Sequence, residues 1–155
     1  MNPLISALQL QPHPEGGWYR ELYRSPTPLD TPRGTRSAVT TIHYLLEAGQ
    51  LSRWHVVTSD EIWHFYAGTA LELFAYDPAT RGLQRHVLSD PATGGQSVAV
   101  IAAGVWQAAR VVDGYALVGC TVAPGFEFSD FQFVADLPEH ADQFVGELAA
   151  WRGLL

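Results

Sequence analysis

A succession of short strand-like segments, with no helix between them, constrains the fold of this chain more than any other feature. From Gly17 onward, β-branched, aromatic and aliphatic residues gather in runs of five to nine residues, which is the length and composition of β-strands. Turn-forming sequences such as DPATRG and DPATGG separate them. Because parallel strands need a crossover connection of about a dozen residues, usually a helix, this spacing predicts an all-β sandwich or barrel. The runs are 17–24, 38–46, 61–67, 71–77, 84–88, 97–102, 106–112 and 114–122.

The Asp113-Gly114 dipeptide lies between the last two of these runs. Asp-Gly flanked by apolar segments is the strongest short sequence signal for a two-residue hairpin turn. We therefore expect residues 106–112 and 114–122 to pair as a β-hairpin.

Helical signals are confined to the two ends of the chain. Asn2 followed by Pro3 is typical of a helix start, with a capping residue and then proline at the first helical position. Near the other end, residues 136–139 resemble a capping box, and helical spacing relates Phe144, Leu148 and Trp151. We expect a short helix at each end, with the C-terminal helix packed on the outside of the barrel or, alternatively, binding a partner.

The composition indicates one globular domain and argues against several classes of partner. The 155 residues, 47% of them hydrophobic, suit a single domain over residues 1–155. A formal charge of −7 argues against nucleic acid and anionic membranes, which require clustered basic residues. The sequence shows no apolar stretch long enough to span a bilayer and no signal peptide, so we expect a cytoplasmic protein. The single cysteine, Cys120, lies in an apolar run and is expected to be buried.

The segment GQLSRWHVVTSDEIWHFYAG, residues 49–68, carries the most specific pattern in the sequence. His55 and Val57 are two residues apart, so on one strand their side chains share a face. A short turn after Val57 reverses the chain. We therefore expect Glu61 to lie opposite them on the neighbouring strand, with its side chain in the same barrel interior.

This spacing resembles the first motif of the cupin superfamily, G-x5-H-x-H-x3-E-x6-G, with Val57 in place of the second histidine. The second motif, P-x-G-x2-H, resembles residues 102–107, where Ala102 and Gln107 replace the proline and the histidine. The opening PHPEGGWYRELYR and the later PGFEFSDF are similar to a largely uncharacterised cupin subfamily with an RmlC-like fold. The resemblance implies a cupin double-stranded β-helix, that is, a jelly-roll barrel, and usually a homodimer. It does not imply a particular reaction.

The resemblance also implies a divalent metal held by two histidines, a glutamate and one residue of the second motif. In this chain His55, Glu61 and Gln107 remain as candidate ligands. His64 is a candidate replacement, although strand alternation places it on the opposite face from Glu61. An amide oxygen is a poor ligand for zinc and suits harder ions. The residues favour a pocket without a tightly held metal, in which His55 and Glu61 form a catalytic acid–base pair. The sequence does not identify a cofactor, and a divalent metal stays an alternative.

Four residues around this pair are candidates for the ligand pocket: Trp63, Gln107, Arg53 and Val57. Trp63 shares a face with Glu61 and would stack on a ring-shaped ligand; the alternative is that it packs in the core. Arg53 suits an anionic group of a ligand; the alternative is that it lies exposed on the surface. Three functions stay open. The first is an isomerase-like or epimerase-like enzyme acting on a sugar-like or small polar metabolite. The others are a non-catalytic small-ligand-binding protein and a metal-dependent cupin enzyme.

The opening block contains His13, Glu15, Gly16, Gly17 and Arg20. The glycine pair is explained by backbone geometry. The resemblance implies that the opening strand often crosses to a partner subunit. Tyr19 and Arg20 are therefore candidates for completing the pocket of a partner in a homodimer.

Overall fold

The computed structural model describes residues 2–137, 144 and 148–155, and most of their regular structure is β-strand. Helix α1 spans Pro3–Ala7, and its cap is the Asn2 side chain, which accepts a hydrogen bond from the Leu4 amide, as expected. The strands are β1 (Gln11–Pro12), β2 (Trp18–Arg24), β3 (Pro28–Thr31), β4 (Gly34–Ser37), β5 (Thr40–Glu47), β6 (Leu51–Val57), β7 (Asp60–Gly68), β8 (Leu71–Asp77), β9 (Gly82–Leu88), β10 (Val98–Ile101), β11 (Trp106–Val111), β12 (Tyr115–Ala123) and β13 (Phe131–Phe133). Short 3-10 helices span Pro91–Thr93, Phe128–Asp130, Val134–Asp136 and Ala149–Leu154. The all-β prediction is confirmed, and each predicted run forms a strand whose ends differ from it by at most two residues.

Two antiparallel sheets contain most of the strands. The larger has the order β1-β2-β5-β12-β7-β10, and the smaller has the order β13-β6-β11-β8-β9. Successive strands from β5 to β8 alternate between the two sheets, as do β9 to β12. The short loops therefore mostly connect one sheet to the other.

The predicted hairpin at Asp113-Gly114 is wrong. Strand β11 pairs with β6 and β8 in the smaller sheet, whereas β12 pairs with β5 and β7 in the larger one. Gly114 does adopt a left-handed conformation, with a φ of 66°, so the local turn is present. Both edges of each strand are already paired with other strands, and the turn therefore joins two sheets instead of two neighbouring strands.

A two-stranded hairpin, β3 with β4, stands apart from both sheets. The sequence analysis did not predict it, because residues 28–37 are polar and contain two prolines and a glycine, a composition typical of loops. Arg36 joins this hairpin to the chain that follows β12. Its guanidinium donates to both carboxylate oxygens of Asp130, at 2.7 and 2.9 Å.

The main core lies between the two sheets, where apolar side chains of both inner faces meet. Tyr44 and Trp63 contribute from the larger sheet and Leu73 from the smaller, each at most 1% exposed. Trp63 and Tyr44 meet edge to face with ring centroids 5.9 Å apart. This interdigitation fills one end of the sandwich and leaves space at the other.

Segments near the chain ends cover parts of the outer faces. Ile5 and Leu10 pack on Leu45 and Leu117 of the larger sheet. Phe144, Leu148 and Leu154 pack on Trp54 and Trp106 of the smaller sheet. Most of the predicted C-terminal helix lies outside the described residues, and the final segment, Ala149–Leu154, is a 3-10 helix.

In the described part of the chain, no helix has both the length and the apolar character needed to cross a membrane.

Candidate functional site

A cavity of about 140 Å³ opens between the two sheets at the end where the core stops. Its buried end carries ionisable groups, namely His13, Glu15, His55, Glu61 and Cys120. Its walls are apolar and largely aromatic, formed by Tyr19, Ile42, Val57, Val122, Phe126, Phe128 and Phe131. Its rim is polar and contains Gln11, Glu21, Arg24 and Glu127, with Thr40 below them.

His55 and Glu61 reach this cavity from opposite sheets. His55 lies on β6 and faces Gln107 on β11, whereas Glu61 begins the inward row of β7 and pairs with Val122 on β12. The expectation that Glu61 sits on the strand neighbouring His55 is wrong, because the turn after Val57 carries the chain from one sheet to the other. The expectation that both side chains point into one interior agrees with the structure: His55 is 2% exposed and Glu61 is 8% exposed.

A carboxylate outside the expected motif, Glu15, contacts His55. The Nε2 atom of His55 lies 3.3 Å from Oε2 of Glu15, and its Nδ1 lies 2.7 Å from the Arg53 carbonyl oxygen. A carbonyl only accepts hydrogen bonds, so Nδ1 carries a proton, and in the neutral ring Nε2 then presents a lone pair. A hydrogen bond between this lone pair and Glu15 would need a protonated carboxyl group.

Burial favours the neutral form of both groups. Burial raises the pKa of Glu15, against the opposing effects of His13 and of the Ser52 hydrogen bond. Burial also lowers the pKa of His55, although Glu61 and the Arg53 carbonyl act in the opposite direction. Both shifts favour a protonated Glu15 carboxyl donating to a neutral imidazole, because desolvation disfavours charge.

The loop that carries Glu15 is fixed by close backbone contacts. Gly16 has a φ of 117°, and a Cβ atom there would overlap the carbonyl group of Leu51. The Tyr44 hydroxyl donates to the Gly16 carbonyl at 2.8 Å, and the Ser52 hydroxyl donates to Oε1 of Glu15 at 3.0 Å. The Gly16 position therefore requires glycine, which explains the glycine that follows Glu15.

A β-bulge brings Ser52 to the same side of the sheet as His55. On β11, Gln107 faces His55 and Ala109 faces Ser52, so two residues of β6 oppose one of β11 in between. This extra residue reverses the alternation of side chains along β6. Strict alternation would place Ser52 on the outer face, away from Glu15.

His13 completes the buried end of the cavity. Its Nδ1 atom accepts a hydrogen bond from the Glu15 amide at 3.3 Å and lies 3.7 Å from the Glu15 carboxylate. Burial lowers the pKa of His13, and the positive form of His55 would lower it further, while Glu15 acts to raise it. The neutral ring packs edge to face on Tyr19 at 4.6 Å between centroids.

Glu61 belongs to a chain of buried hydrogen bonds that runs into the core. The Gln107 amide nitrogen donates to Oε2 of Glu61 at 2.5 Å, and the Trp63 indole N–H donates to the Gln107 amide oxygen at 3.0 Å. An indole N–H can only donate, so this contact fixes the orientation of the Gln107 amide. Burial raises the pKa of Glu61, with smaller opposing effects from His55, Gln107 and the Cys120 thiol.

The remaining predicted pocket residues separate into two groups. Val57 lines the cavity beside His55. Trp63 and Gln107 lie beneath Glu61, 1% exposed each, and hold that carboxylate from behind without lining the cavity. Arg53 does not line it either: it is exposed, donates to the Pro14 carbonyl at 2.8 Å and lies over the Phe133 ring. Tyr19 lines the cavity of its own chain, and Arg20 donates to the Leu8 carbonyl.

The donors do not fit the metal site that a cupin of the usual pattern would hold. Val57 supplies no donor atom, and the amide oxygen of Gln107 is occupied by the Trp63 indole. His64 pairs with Gly119 and Val98 on the outward row of β7, so it does not reach the cavity. Over residues 2–137, 144 and 148–155, no group of three or more His, Cys, Asp or Glu side chains is arranged to hold a metal ion.

Arginine side chains hold the segment that forms one wall of the cavity. At the rim, Arg24 donates to Glu21 at 2.9 Å, to Glu127 at 2.7 Å and to the Phe126 carbonyl at 3.0 Å. Further along the same segment, Arg36 binds Asp130. The wall residues Phe126 to Phe131 are thereby tied to the larger sheet and to the β3–β4 hairpin.

Two facing antiparallel sheets with a polar-ended cavity between them define a jelly-roll protein. Residues 2–134 match the family model described as Cupin superfamily (DUF985), and the chain belongs to that family. The expected cupin jelly-roll fold is thus confirmed.

Solved structures of two relatives cover most of this chain. A hypothetical protein from Leishmania major is 32% identical, with a TM-score of 0.82, over 92% of this chain and 93% of its own. Protein SO0799 from Shewanella oneidensis is 36% identical, with a TM-score of 0.76, over 86% of this chain and 84% of its own. The oxalate decarboxylase of Lactobacillus farciminis shares the fold alone, with 15% identity and a TM-score of 0.61 over 94% of this chain and 41% of its own. A comparison with curated proteins gives no match.

Sequence reasoning did not assign a role to Glu15 or His13, although it singled out the opening block that contains them. The available signal was local: two ionisable side chains in the PHPEGG segment are held between prolines and glycines, which restrict and redirect the backbone. A rigid loop of this kind presents polar side chains in a fixed direction. Their target, His55, is 40 residues further along the chain and was not predictable from spacing.

Proposed function

We propose that this protein catalyses proton transfer within a small organic molecule, as an isomerase or epimerase does. The observation that carries the proposal is that two proton-exchanging groups, Glu61 and the His55–Glu15 pair, face one cavity from opposite sheets. Isomerisation by proton transfer needs a base at one position of the substrate and an acid at another. The cavity supplies both without further groups.

Glu61 is suited to be the base. One of its oxygens accepts from Gln107, and the carboxylate borders the cavity. A carboxylate whose pKa is raised by burial is a stronger base than an exposed one, which brings its proton affinity closer to neutral pH. In the reaction, Glu61 takes a proton from the substrate.

The His55–Glu15 pair is suited to be the acid. The pair carries one proton between Nε2 and Oε2 and delivers it to the substrate atom that gains electron density. After the product leaves, Glu61 is protonated and the pair is one proton short. Transfer of that proton back to the pair, through solvent in the open cavity, restores the starting state, so that the reaction consumes no proton overall.

A non-catalytic ligand-binding protein is the second candidate. The hydrogen-bond chain from Trp63 through Gln107 to Glu61 fixes a carboxylate in one orientation, which serves recognition as well as catalysis. The two functions differ in one observable, because only the enzyme exchanges substrate hydrogen with solvent. The metal-dependent alternative lacks a fitting set of donors, and we derive no step through a metal.

The test is hydrogen exchange into unidentified metabolites. The full chain is incubated with a small-metabolite extract in D2O, and mass spectrometry records which compounds gain carbon-bound deuterium. Wild-type protein is expected to label one or a few compounds, and Glu61→Gln and Glu15→Gln are expected to label them at least about 100-fold more slowly, the size of a general acid–base contribution. If compounds bind but gain no deuterium, the proposed catalysis is rejected and the protein is a ligand-binding protein.

We also propose that two copies associate through the outer face of the larger sheet. Val100, Ile62, Thr121, Thr41 and Tyr23 form one outward row across five strands. Val100 is 58% exposed and Tyr23 is 51% exposed. Exposed apolar side chains gathered on one face are typical of interaction surfaces.

A further inference from the structure

We infer that the cavity binds a small organic base in its protonated form, with the positive charge placed against Glu61. The inference rests on the cavity proposed above as the active site, and it adds the chemical class of the ligand. Three independent observations support it: the charges that line the cavity, the surroundings of Glu61 and the aromatic walls.

The cavity lining has more acidic than basic groups. Four glutamates line it, Glu15, Glu21, Glu61 and Glu127, and the chain has no lysine at all, since its basic residues are nine arginines. Among the described lining residues, only Arg24 is an arginine. Its guanidinium is already bound to Glu21 and Glu127. The rim therefore carries one net negative charge and has no cation left to bind an anionic ligand.

The buried end adds no positive charge. Nδ1 of His55 faces the Arg53 carbonyl and Nε2 faces Glu15, and burial lowers the pKa of His55 and raises that of Glu15, so both groups favour their neutral forms. His13 accepts from a backbone amide through Nδ1, as a neutral ring does. The remaining group, Glu61, is therefore either neutral or negative, and a cation is the ligand that would favour its charged form.

The described surroundings of Glu61 are neutral donors, one histidine and the carboxyl group of Glu15. Its described partners are the Gln107 amide and the Cys120 thiol, with His55 nearby. Two other buried carboxylates of this chain have arginine partners: Asp130 contacts Arg36, and Glu72 contacts Arg110 and Arg85. Glu61 differs from Asp130 and Glu72 in bordering a ligand-sized cavity instead of an arginine.

Aromatic rings form the walls above Glu61. Phe126 meets Phe128 edge to face at 5.1 Å and Phe131 at 6.3 Å, and Tyr19 lines the same cavity. The negative faces of aromatic rings attract cations. A site made of aromatic rings and a carboxylate recognises an ammonium group better than a carboxylate group. The described lining of this cavity has no unpaired cationic side chain that would bind an anion.

The size of the cavity sets the size of the ligand. Its 140 Å³ is close to the roughly 150 Å³ that holds benzene in an engineered protein cavity. A matched set of probes of this size differs only in charge: benzylamine, which is protonated at neutral pH, benzyl alcohol, which is neutral, and benzoate, which is an anion. Oxalate, which the names of several fold neighbours contain, serves as a dianionic probe.

The experiment is a titration of the full chain with each probe at pH 7.5, followed by calorimetry and by amide NMR shifts of the cavity residues. Benzylamine is expected to bind at least tenfold more tightly than benzyl alcohol, with benzoate and oxalate weaker still. Glu61→Gln is expected to remove the preference for benzylamine over benzyl alcohol. The matched control Glu47→Gln, at the far end of β5 and outside the cavity lining, is expected to retain it.

Benzoate or oxalate binding as tightly as benzylamine would overturn the inference, as would the absence of any binding of benzylamine at millimolar concentration. These outcomes are distinguishable from failure of the proposed catalysis. Deuterium exchange that persists alongside a preference for anions would reject the ligand class and retain the enzyme. A preference for benzylamine without deuterium exchange in any metabolite would retain the ligand class and reject the enzyme.

Discussion

Nε2 of His55 lies 3.3 Å from a carboxylate oxygen of Glu15, while Nδ1 of the same ring donates to the Arg53 carbonyl. The two residues are brought together by the glycine turn that follows Glu15 and by the bulge in β6. This contact links the opening segment of the chain to the strand that carries the family motif. The contact predicts how substitutions at Glu15 and at His55 change the stability of the protein.

Glu15→Gln is expected to fold with nearly wild-type stability. A glutamine amide would donate to the free Nε2 of His55, and its oxygen would accept from Ser52, so both hydrogen bonds of Glu15 persist. His55→Ala instead leaves the buried Glu15 carboxyl without its partner, which should lower the free energy of unfolding by about 1–3 kcal/mol. Urea denaturation measures both variants. A loss from Glu15→Gln as large as that from His55→Ala would show that no proton is shared between the two residues.

Glu61→Gln is expected to become increasingly more stable than the wild type as the pH rises. Burial raises the pKa of Glu61 above its ordinary value of 4.5. The folded wild type therefore binds more protons than the unfolded chain above that pH, so its stability falls as the pH rises toward the folded pKa. Each unit of elevation is worth about 1.4 kcal/mol, and the uncharged glutamine avoids this loss.

The measurement for Glu61→Gln is the free energy of unfolding of both proteins from pH 4 to pH 8. The lowered pKa of His13 destabilises both proteins on the acid side and cancels in the difference. His55 does not cancel, because Glu61 raises its pKa, so the two proteins are compared above about pH 6.5, where an ordinary histidine is neutral. A difference that does not change with pH would contradict a raised pKa at Glu61.

The double variant Val57→His, Gln107→His is expected to gain a divalent metal site. Val57 shares the cavity with His55, and Gln107 lies directly across from His55 on the neighbouring strand. Both replacements add an imidazole near Glu61, which restores the four donors of the usual cupin pattern. Cobalt binding, followed by its visible absorption, should be at least about tenfold tighter than in the wild type, since even the outer partners of metal ligands change metal affinity by about 10–100-fold.

The single variant Val57→Leu is the matched control for this metal site, since it changes the volume without adding a donor. Cobalt affinity in Val57→Leu should equal that of the wild type. Equal affinity of the double variant and the wild type would mean that the wild-type cavity already supplies a donor set other than the usual one.

Val100→Arg is expected to shift the protein from dimer to monomer. Val100 is 58% exposed on β10, at one end of the outward row that also contains Tyr23. A charge placed on an apolar contact surface is costly to desolvate, whereas on a free surface it costs little. Light scattering at micromolar concentration measures the mass. The control is Val112→Arg, because Val112 is 70% exposed but lies beyond the end of β11, away from this face. A monomeric wild type would reject the dimer itself.

The sequence predicted the strands well because each one is a local pattern of apolar residues. It also predicted the inward direction of His55, Val57 and Glu61, since parity along a strand is local information. It did not predict which strands pair. Asp113-Gly114 makes the turn that the sequence indicates, yet the strands on either side enter different sheets. Strand β11 pairs with β6 and β8, and strand β12 pairs with β5 and β7.

The site residues that the sequence missed depend on contacts between distant segments. Glu15 reaches His55 only because Gly16 packs on the Leu51 carbonyl and because a bulge turns Ser52 inward. Trp63 was expected in the pocket from its parity with Glu61. The parity is right, but the strand runs deeper into the core at that point, and the indole lies behind the carboxylate, held by Gln107.

Because His55 and Glu61 stand on opposite sheets, the separation between the sheets sets the reach of any molecule that contacts both. Facing sheets lie about 10 Å apart, and core side chains such as Leu46 and Leu73 maintain that gap from a distance. Substitutions that change the volume of those side chains would widen or narrow the gap between acid and base without touching a bound molecule. In this architecture the volume of the hydrophobic core sets the width of the cavity. Substitutions at core positions can therefore change ligand preference without contacting a ligand.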